Sequence, residues 1–179
     1  MLSLDNTVLL IVDVQGKLAH LMYNKENLFD HIRRIIKGAQ ILNIPILLAE
    51  QNPEGLGPTI PEVSRLLANP EPISKFSFSC WGSDRFVKEM ESLCPENVLI
   101  AGIETHVCVY QTSRDLVRAG YAVEVIADAV SSRTNENKIV GLDKIRRAGA
   151  GITSVETALF EMLGEAAGDG FKEILAIVK

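Results

Sequence analysis

A three-layer α/β fold around a parallel sheet is predicted by two features of the sequence, and a third places its functional edge. Short, mostly apolar runs recur along the 179 residues, as in Val8-Leu9-Leu10-Ile11-Val12 and Val98-Leu99-Ile100-Ala101-Gly102-Ile103. Each run is followed by a helical segment, and strands of this kind joined by helices imply a parallel sheet covered on both faces. The third feature is a set of polar residues at or beyond strand ends: Asp13, Lys75 and Cys108. In such sheets ligands bind beyond the carboxyl ends of the strands.

The first strand is predicted over about Thr7 to Asp13. A long helix follows from roughly Lys25 to Leu42, because Leu28, Ile32, Ile35, Ile36, Ala39 and Leu42 recur at helical spacing. Pro45 to Glu50 reads as the second strand. Gln51 to Pro61, rich in Pro and Gly, reads as a loop. A short helix over Pro61 to Leu67 leads to a third strand, Pro72 to Lys75. Asp84 to Leu93 reads as a helix with Ser83 as its N-cap. Asn97 to Ile103 is the fourth strand. The next helix is predicted after Thr105 and runs to Ala119, with Cys108 in its first turn and Gly120 closing it. Ala122 to Ala127 is the fifth strand, ending at Asp128. A helix from Asn135 to Ala148, a sixth strand from Gly151 to Ser154, and helices around Glu156 to Leu163 and Gly170 to Val178 complete the pattern. The sequence contains no repeat or linker, so residues 1–179 are expected to form one domain.

Composition narrows the function. A net charge of −5 gives no global basic field for nucleic acid. No apolar stretch reaches membrane-spanning length, and the segment Met1-Leu2-Ser3-Leu4-Asp5 lacks the basic region of a signal peptide. Cys80, Cys94 and Cys108 form neither a CxxC pair nor an even framework, which points to a reducing cytoplasm. His20, His31 and His106 are scattered, with no metal-ligand spacing. No metal or other cofactor is therefore expected.

Asp13, Lys75 and Cys108 have chemically complementary side chains. A thiol in the first turn of a helix is expected to have a lowered pKa, because unpaired N–H groups and the helix dipole favour the thiolate. A neighbouring lysine would lower it further, and a carboxylate could accept and return a proton. Each residue also has a structural reading: Cys108 as a small buried apolar group, Asp13 as a cap, Lys75 as a solvated edge-strand lysine whose removal would leave folding intact. Convergence of three strands on one edge favours the chemical reading.

At these residues the chain resembles the isochorismatase-like cysteine hydrolases. The matching segments are Leu9-Leu10-Ile11-Val12-Asp13-Val14-Gln15, Lys75-Phe76-Ser77-Phe78, Ala101-Gly102-Ile103-Glu104-Thr105-His106-Val107-Cys108-Val109 and Ile126-Ala127-Asp128-Ala129-Val130-Ser131-Ser132-Arg133. Glu50-Gln51, the Glu54-Gly55-Leu56-Gly57-Pro58-Thr59 loop and Phe171-Lys172-Glu173-Ile174 are similar to the isochorismatase domain-containing subgroup. The resemblance implies a six-stranded sheet of order 3-2-1-4-5-6 and a catalytic triad of Asp13, Lys75 and Cys108. It also implies a cis peptide between Ile103 and Glu104, with the Glu104 and Cys108 backbone N–H groups forming an oxyanion hole. Nicotinamidases of this superfamily carry an Asp-x-His metal motif after the second strand. Glu50-Gln51-Asn52-Pro53 stands there instead, which argues against a metal and against nicotinamide.

The resulting expectation is a hydrolase of a small amide or ureide that works through a thioester-type intermediate. Leu18, Met22, Gln51, Trp81 and His106 are candidate pocket residues from loop position. The partners expected are a small-molecule substrate and further copies of the chain, as a dimer or higher homo-oligomer; neither nucleic acid nor membrane is expected. The alternative is a non-enzymatic interaction protein on the same fold. A nucleotide-binding Rossmann module is disfavoured, because Asp13-Val14-Gln15-Gly16 supplies no GxGxxG loop.

Overall fold

A computed structural model of the chain describes residues 2–68 and 70–179; Met1 and Asn69 lie outside the described residues. Six parallel strands form one sheet in the order β3-β2-β1-β4-β5-β6. They are β1 (Thr7–Val12), β2 (Ile46–Gln51), β3 (Ile73–Lys75), β4 (Asn97–Ile103), β5 (Ala122–Ser131) and β6 (Gly151–Thr153). Every residue of β1 and β4 is buried, as a central parallel strand covered on both faces requires.

Alternation along β1 divides the core into two layers. Leu9 and Ile11 pack on one face with Leu28, Ile32, Ile35 and Ile36 of α2 (Lys25–Ile41). The helices α8 (Val155–Leu163) and α9 (Gly168–Val178) extend that layer. Val8, Leu10 and Val12 pack on the other face. Their partners are Phe86 and Met90 of α5 (Asp84–Leu93), Leu116 of α6 (Tyr110–Arg118) and Ile145 of α7 (Asn135–Arg147). Each fully buried Leu, Ile or Phe contributes roughly 1.5–3 kcal/mol, so these two layers fix the register that brings the strand ends together.

Several elements depart from the sequence reading. Three short helices bridge the predicted gaps: α1 (Gly16–Ala19), which the sequence reading lacks, α3 (Pro53–Leu56) inside the predicted loop, and α4 (Pro61–Ser64), shorter than predicted. Pro at the start of α3 and α4 sets the helical φ at a position whose N–H needs no partner. Ser83 stands at the N-cap of α5 but makes no side-chain cap bond. β5 runs on to Ser131 because its pairing with β4 shifts: Ile100 faces Val125, whereas Gly102 faces Val130. The bulged stretch between them carries Asp128.

The segment before α6 is also different. Thr105–Val109 forms a single π-helical turn, so Cys108 precedes the α-helix instead of lying in its first turn. α7 packs directly on this turn. A Cβ on Gly141 would come within 2.7 Å of the His106 backbone N, so glycine is required for that approach.

Candidate active site

The site grows from four segment ends. β1 stops at Asp13, which adopts a left-handed φ of 53°, a conformation that aspartate tolerates better than most residues. Its N–H still donates to Ala49 O on β2. β3 is an edge strand of three residues, and Lys75 ends it. β4 leads through the cis Ile103–Glu104 peptide into the π-helical turn and Cys108. The neighbouring end of β2 contributes Gln51.

Lys75 Nζ donates to Asp13 Oδ2 at 2.7 Å and to Gln51 Oε1 at 2.9 Å. The carbonyls of Ser77 and Phe78 accept from the same ammonium at 3.3 and 3.2 Å. Lys75 is 3% exposed and Asp13 2%. The solvated edge-strand lysine is therefore corrected: the segment after β3 folds its carbonyls over the ammonium and seals it. Replacing Lys75 would strand a buried carboxylate, so the expectation that folding would not suffer is corrected as well.

Asp13 Oδ1 has no hydrogen-bond partner. It and Thr105 Oγ1 are the buried side-chain polar atoms left unpaired among the described residues. An unpaired buried polar atom costs about 1–3 kcal/mol, and here one sits on Asp13 and the other on the turn that carries Cys108. The Cys108 thiol approaches the Asp13 carboxyl closely enough to act on its titration.

Burial raises the Asp13 carboxyl above its ordinary 3.8 and outweighs the opposing charge of Lys75. Burial also pushes the Cys108 thiol up; the Asp13 carboxylate acts in the same direction and Lys75 against it. The lowered thiol pKa expected from the sequence is thus reversed. Withdrawal of the sulfur from water dominates, and the π-helical turn replaces the α-helical first turn invoked for the thiolate. Cys80, fully buried in a 3-10 turn (Cys80–Gly82), is pushed up to about 12 by burial. Cys94 is exposed at the end of α5.

The remaining pocket candidates divide. Gln51 joins the site: besides accepting from Lys75, it donates through Nε2 to Phe76 O at 2.7 Å. His106 is half-buried on the π-helical turn, its Nδ1 3.0 Å from Ser132 Oγ. Glu104 Oε1 accepts from the Arg133 backbone N and Nε at 3.2 and 3.0 Å. Trp81 stacks edge-on with Phe86 and Tyr121, so its ring is spent on packing beside α5. Leu18 and Met22 pack in the layer of α2, whereas Cys108 belongs to the layer of α6.

Sequence reasoning missed Gln15. It is fully buried, accepts from Gln51 N at 2.7 Å and donates to Gly57 O at 2.7 Å. It thereby ties the segment after β2 to the end of β1. A glutamine two residues past an apolar strand was its one sequence signal. Among the described residues no group of three or more His, Cys, Asp or Glu is placed to hold a metal ion, and no helix is long and apolar enough to cross a membrane.

Comparison with known proteins matches the Isochorismatase domain family over residues 7–157. Isochorismatase domain-containing protein 2 of Bos taurus is 33% identical over 176 residues, 97% of this chain and 83% of the relative. The secreted isochorismatase effector Isc1 of Phytophthora sojae is 36% identical over 180 residues, 97% of this chain and 85% of the relative. Among solved structures, the MAR1 ribonuclease of Caenorhabditis elegans superposes with a TM-score of 0.92 at 33% identity, over 99% of this chain and 91% of that one. The Escherichia coli YcaC product, described as an octameric hydrolase of unknown specificity, gives 0.92 at 22% identity over 98% and 89% of the two chains. At that identity the likeness is one of fold.

Proposed function

The chain belongs to the isochorismatase family, and on that premise we propose that it is a cysteine-dependent hydrolase of a small amide or ureide. The observation that carries the reading is the free Oδ1 of Asp13, buried beside the Cys108 thiol while Oδ2 is held by Lys75.

With the thiol pKa raised, the resting pair is a neutral thiol beside a carboxylate. Attack and proton transfer then go together. Sγ bonds to the substrate carbonyl carbon as the thiol proton passes to Asp13 Oδ1. The carbonyl oxygen becomes an oxyanion, which the backbone N–H groups of Glu104 and Cys108 would hold. Its collapse breaks the C–N bond, and Asp13 returns the proton to the leaving nitrogen. Water then attacks the thioester, Asp13 accepts a proton from it, and the acid leaves as Sγ regains a proton. Lys75 favours the charged form of Asp13 and so opposes the effect of burial. None of these steps asks for a metal.

The test is a screen of amides and ureides against the wild type, with Cys108→Ala as control. Turnover of at least one substrate that falls to background in Cys108→Ala, together with a thioester adduct on Cys108 by mass spectrometry, supports the reading. Equal turnover by both proteins overturns it. One relative is named a ribonuclease, so RNA belongs in the same screen: thiol-independent RNA cleavage would replace the amide reading. No turnover, with an intact but unreactive Cys108, would favour the interaction-protein alternative.

The chain is also proposed to form a homo-oligomer. Phe76, at 81% exposed, and Phe78, at 54%, stand beside Lys75 at the strand carboxyl edge, an apolar rim of the kind that subunit interfaces cover. A monomer by light scattering at micromolar concentration would exclude this.

A further inference from the structure

Glu50 is a buried carboxylate that the proposed chemistry does not use. It precedes Gln51 in β2, and successive strand residues face opposite sides of the sheet. Gln51 therefore meets Lys75, while Glu50 joins Leu48 on the side of α2. Glu50 is 6% exposed. Its Oε1 accepts from both the backbone N and the Oγ1 of Thr59, each at 2.7 Å. Its Oε2 takes no hydrogen bond from any described residue, yet it is not among the buried unpaired atoms. Glu50 lines a cavity of about 640 Å³ together with Leu48, Pro58, Ile60, Pro61 and Pro72.

We propose that this cavity is a second ligand site, separate from the thiol, for a small primary amine carrying an apolar group. Small-molecule sites are typically concave and mostly apolar, with a few placed polar groups that fix orientation, and the volume falls in their usual range of roughly 300–1,000 Å³. The proline and aliphatic walls would take the apolar group, and the ammonium would donate to Oε2. A charge-assisted bond of this kind is stronger than a neutral one, and the carboxylate is already oriented by Thr59, so little ordering is left to pay for. An anion is excluded by the charge of Glu50. A metal ion is disfavoured because no group of three or more His, Cys, Asp or Glu is placed to hold one among the described residues. Lys17 and His20 also line the cavity, but both are exposed, and Lys17 makes no ion pair among the described residues. Water screens their charge far more than that of the buried carboxylate.

Benzylamine, benzyl alcohol and benzoate share one ring and differ in charge, so they test the assignment directly. Isothermal titration and ligand-observed NMR on the intact protein should show saturable benzylamine binding, at least tenfold weaker binding of benzyl alcohol, and none of benzoate. Glu50→Gln keeps an acceptor for Thr59 and puts an amide NH2 in place of Oε2, so it should weaken benzylamine at least tenfold with the melting temperature unchanged. Ser64→Trp, which fills the cavity from α4, should abolish binding without touching Glu50. Cys108→Ala should bind as the wild type does, which keeps this site's outcome apart from that of the thiol. Equal affinity for benzylamine and benzyl alcohol, no saturable binding at millimolar concentration, or unchanged binding in either Glu50→Gln or Ser64→Trp would each overturn the proposal.

Discussion

Two aspartates lie at carboxyl-terminal regions of strands, yet the structure uses them in opposite ways. Asp13 follows β1, has one oxygen on Lys75 at 2.7 Å and keeps the other free in a buried site. Asp128 lies in the bulge of β5 and has both oxygens occupied. Oδ1 accepts from the backbone N of Val155 at the start of α8, at 3.0 Å, and Oδ2 lies 3.3 Å from His31 Nε2. The Asp128 side chain is 28% exposed, that of Asp13 3%. A carboxylate with both oxygens engaged holds elements together. One held by a single cation, with an oxygen in reserve beside a thiol, can take a proton. Availability of a lone pair separates the two, and acidity alone does not.

The strongest way to break this comparison is to remove the cation. Lys75→Met leaves the Asp13 carboxylate buried and unpaired, which is expected to cost about 3–5 kcal/mol in urea unfolding. Asp13→Asn combined with Lys75→Met should recover much of that stability and none of the turnover. If the single variant is as stable as the wild type, the pair is not the buried unit described.

Next in size is the proton acceptor. Asp13→Asn keeps an oxygen for Lys75 but cannot take the thiol proton, so kcat/KM should fall roughly 10²–10⁴-fold. In the wild type the acid limb of the kcat/KM profile should lie above 3.8, since burial raises the Asp13 carboxyl. A limb below 3.8 would contradict that assignment.

Backbone approach beneath Asp13 comes third. At Gly102 (φ 127°) an added Cβ would lie 2.1 Å from Val12 O. Gly102→Ala should therefore separate β4 from β1 and cost about 1–3 kcal/mol, read by thermal melting, with activity lost along with the displaced Asp13.

The smallest chemical effect belongs to the other aspartate. Asp128→Ala should cost about 1 kcal/mol, the usual loss for a helix cap, with turnover kept. Loss of turnover at full stability would end the contrast between the two residues.

Alkaline pH probes the burial of Cys80 and Cys108. Cys80 and Cys108 ionise at higher pH in the folded protein than in the unfolded chain. Above about pH 9 the unfolded state binds fewer protons than the folded one, so stability should fall by up to about 1.4 kcal/mol per pH unit per thiol. Cys80→Ala should halve that slope.

Much of the scaffold was legible because local pattern and burial agree there. β1, α2, β4 and the strand order follow from apolar runs, helical spacing and the family resemblance. The structure pairs Lys75 with Asp13 and places Cys108 beside them, as the convergence of strand ends suggested. What stayed hidden depends on distant segments. The seal over Lys75 comes from the carbonyls of Ser77 and Phe78, and neither carbonyl leaves a trace in residue type. The direction of the thiol pKa follows from how deeply packing buries Cys108, which position on a helix does not report. The length of β5 depends on a register shift against β4. Leu18 and Met22, candidate pocket residues by loop position, pack in the layer of α2.

The π-helical turn also ties the chemistry to chain length. Each α-helical residue advances the direction of its side chain by about 100°. Thr112, whose Oγ1 accepts from the Cys80 backbone N at 3.0 Å, and Leu116 fix the rotational phase of α6 against the sheet. The five residues Thr105–Val109 set the phase of Cys108 relative to that anchored helix. Deleting Val109 would shorten the wide turn between Cys108 and α6 while α6 keeps its grip, swinging the sulfur by about 100° away from Asp13. In this segment an insertion or deletion outweighs most substitutions, because residue count aims the thiol.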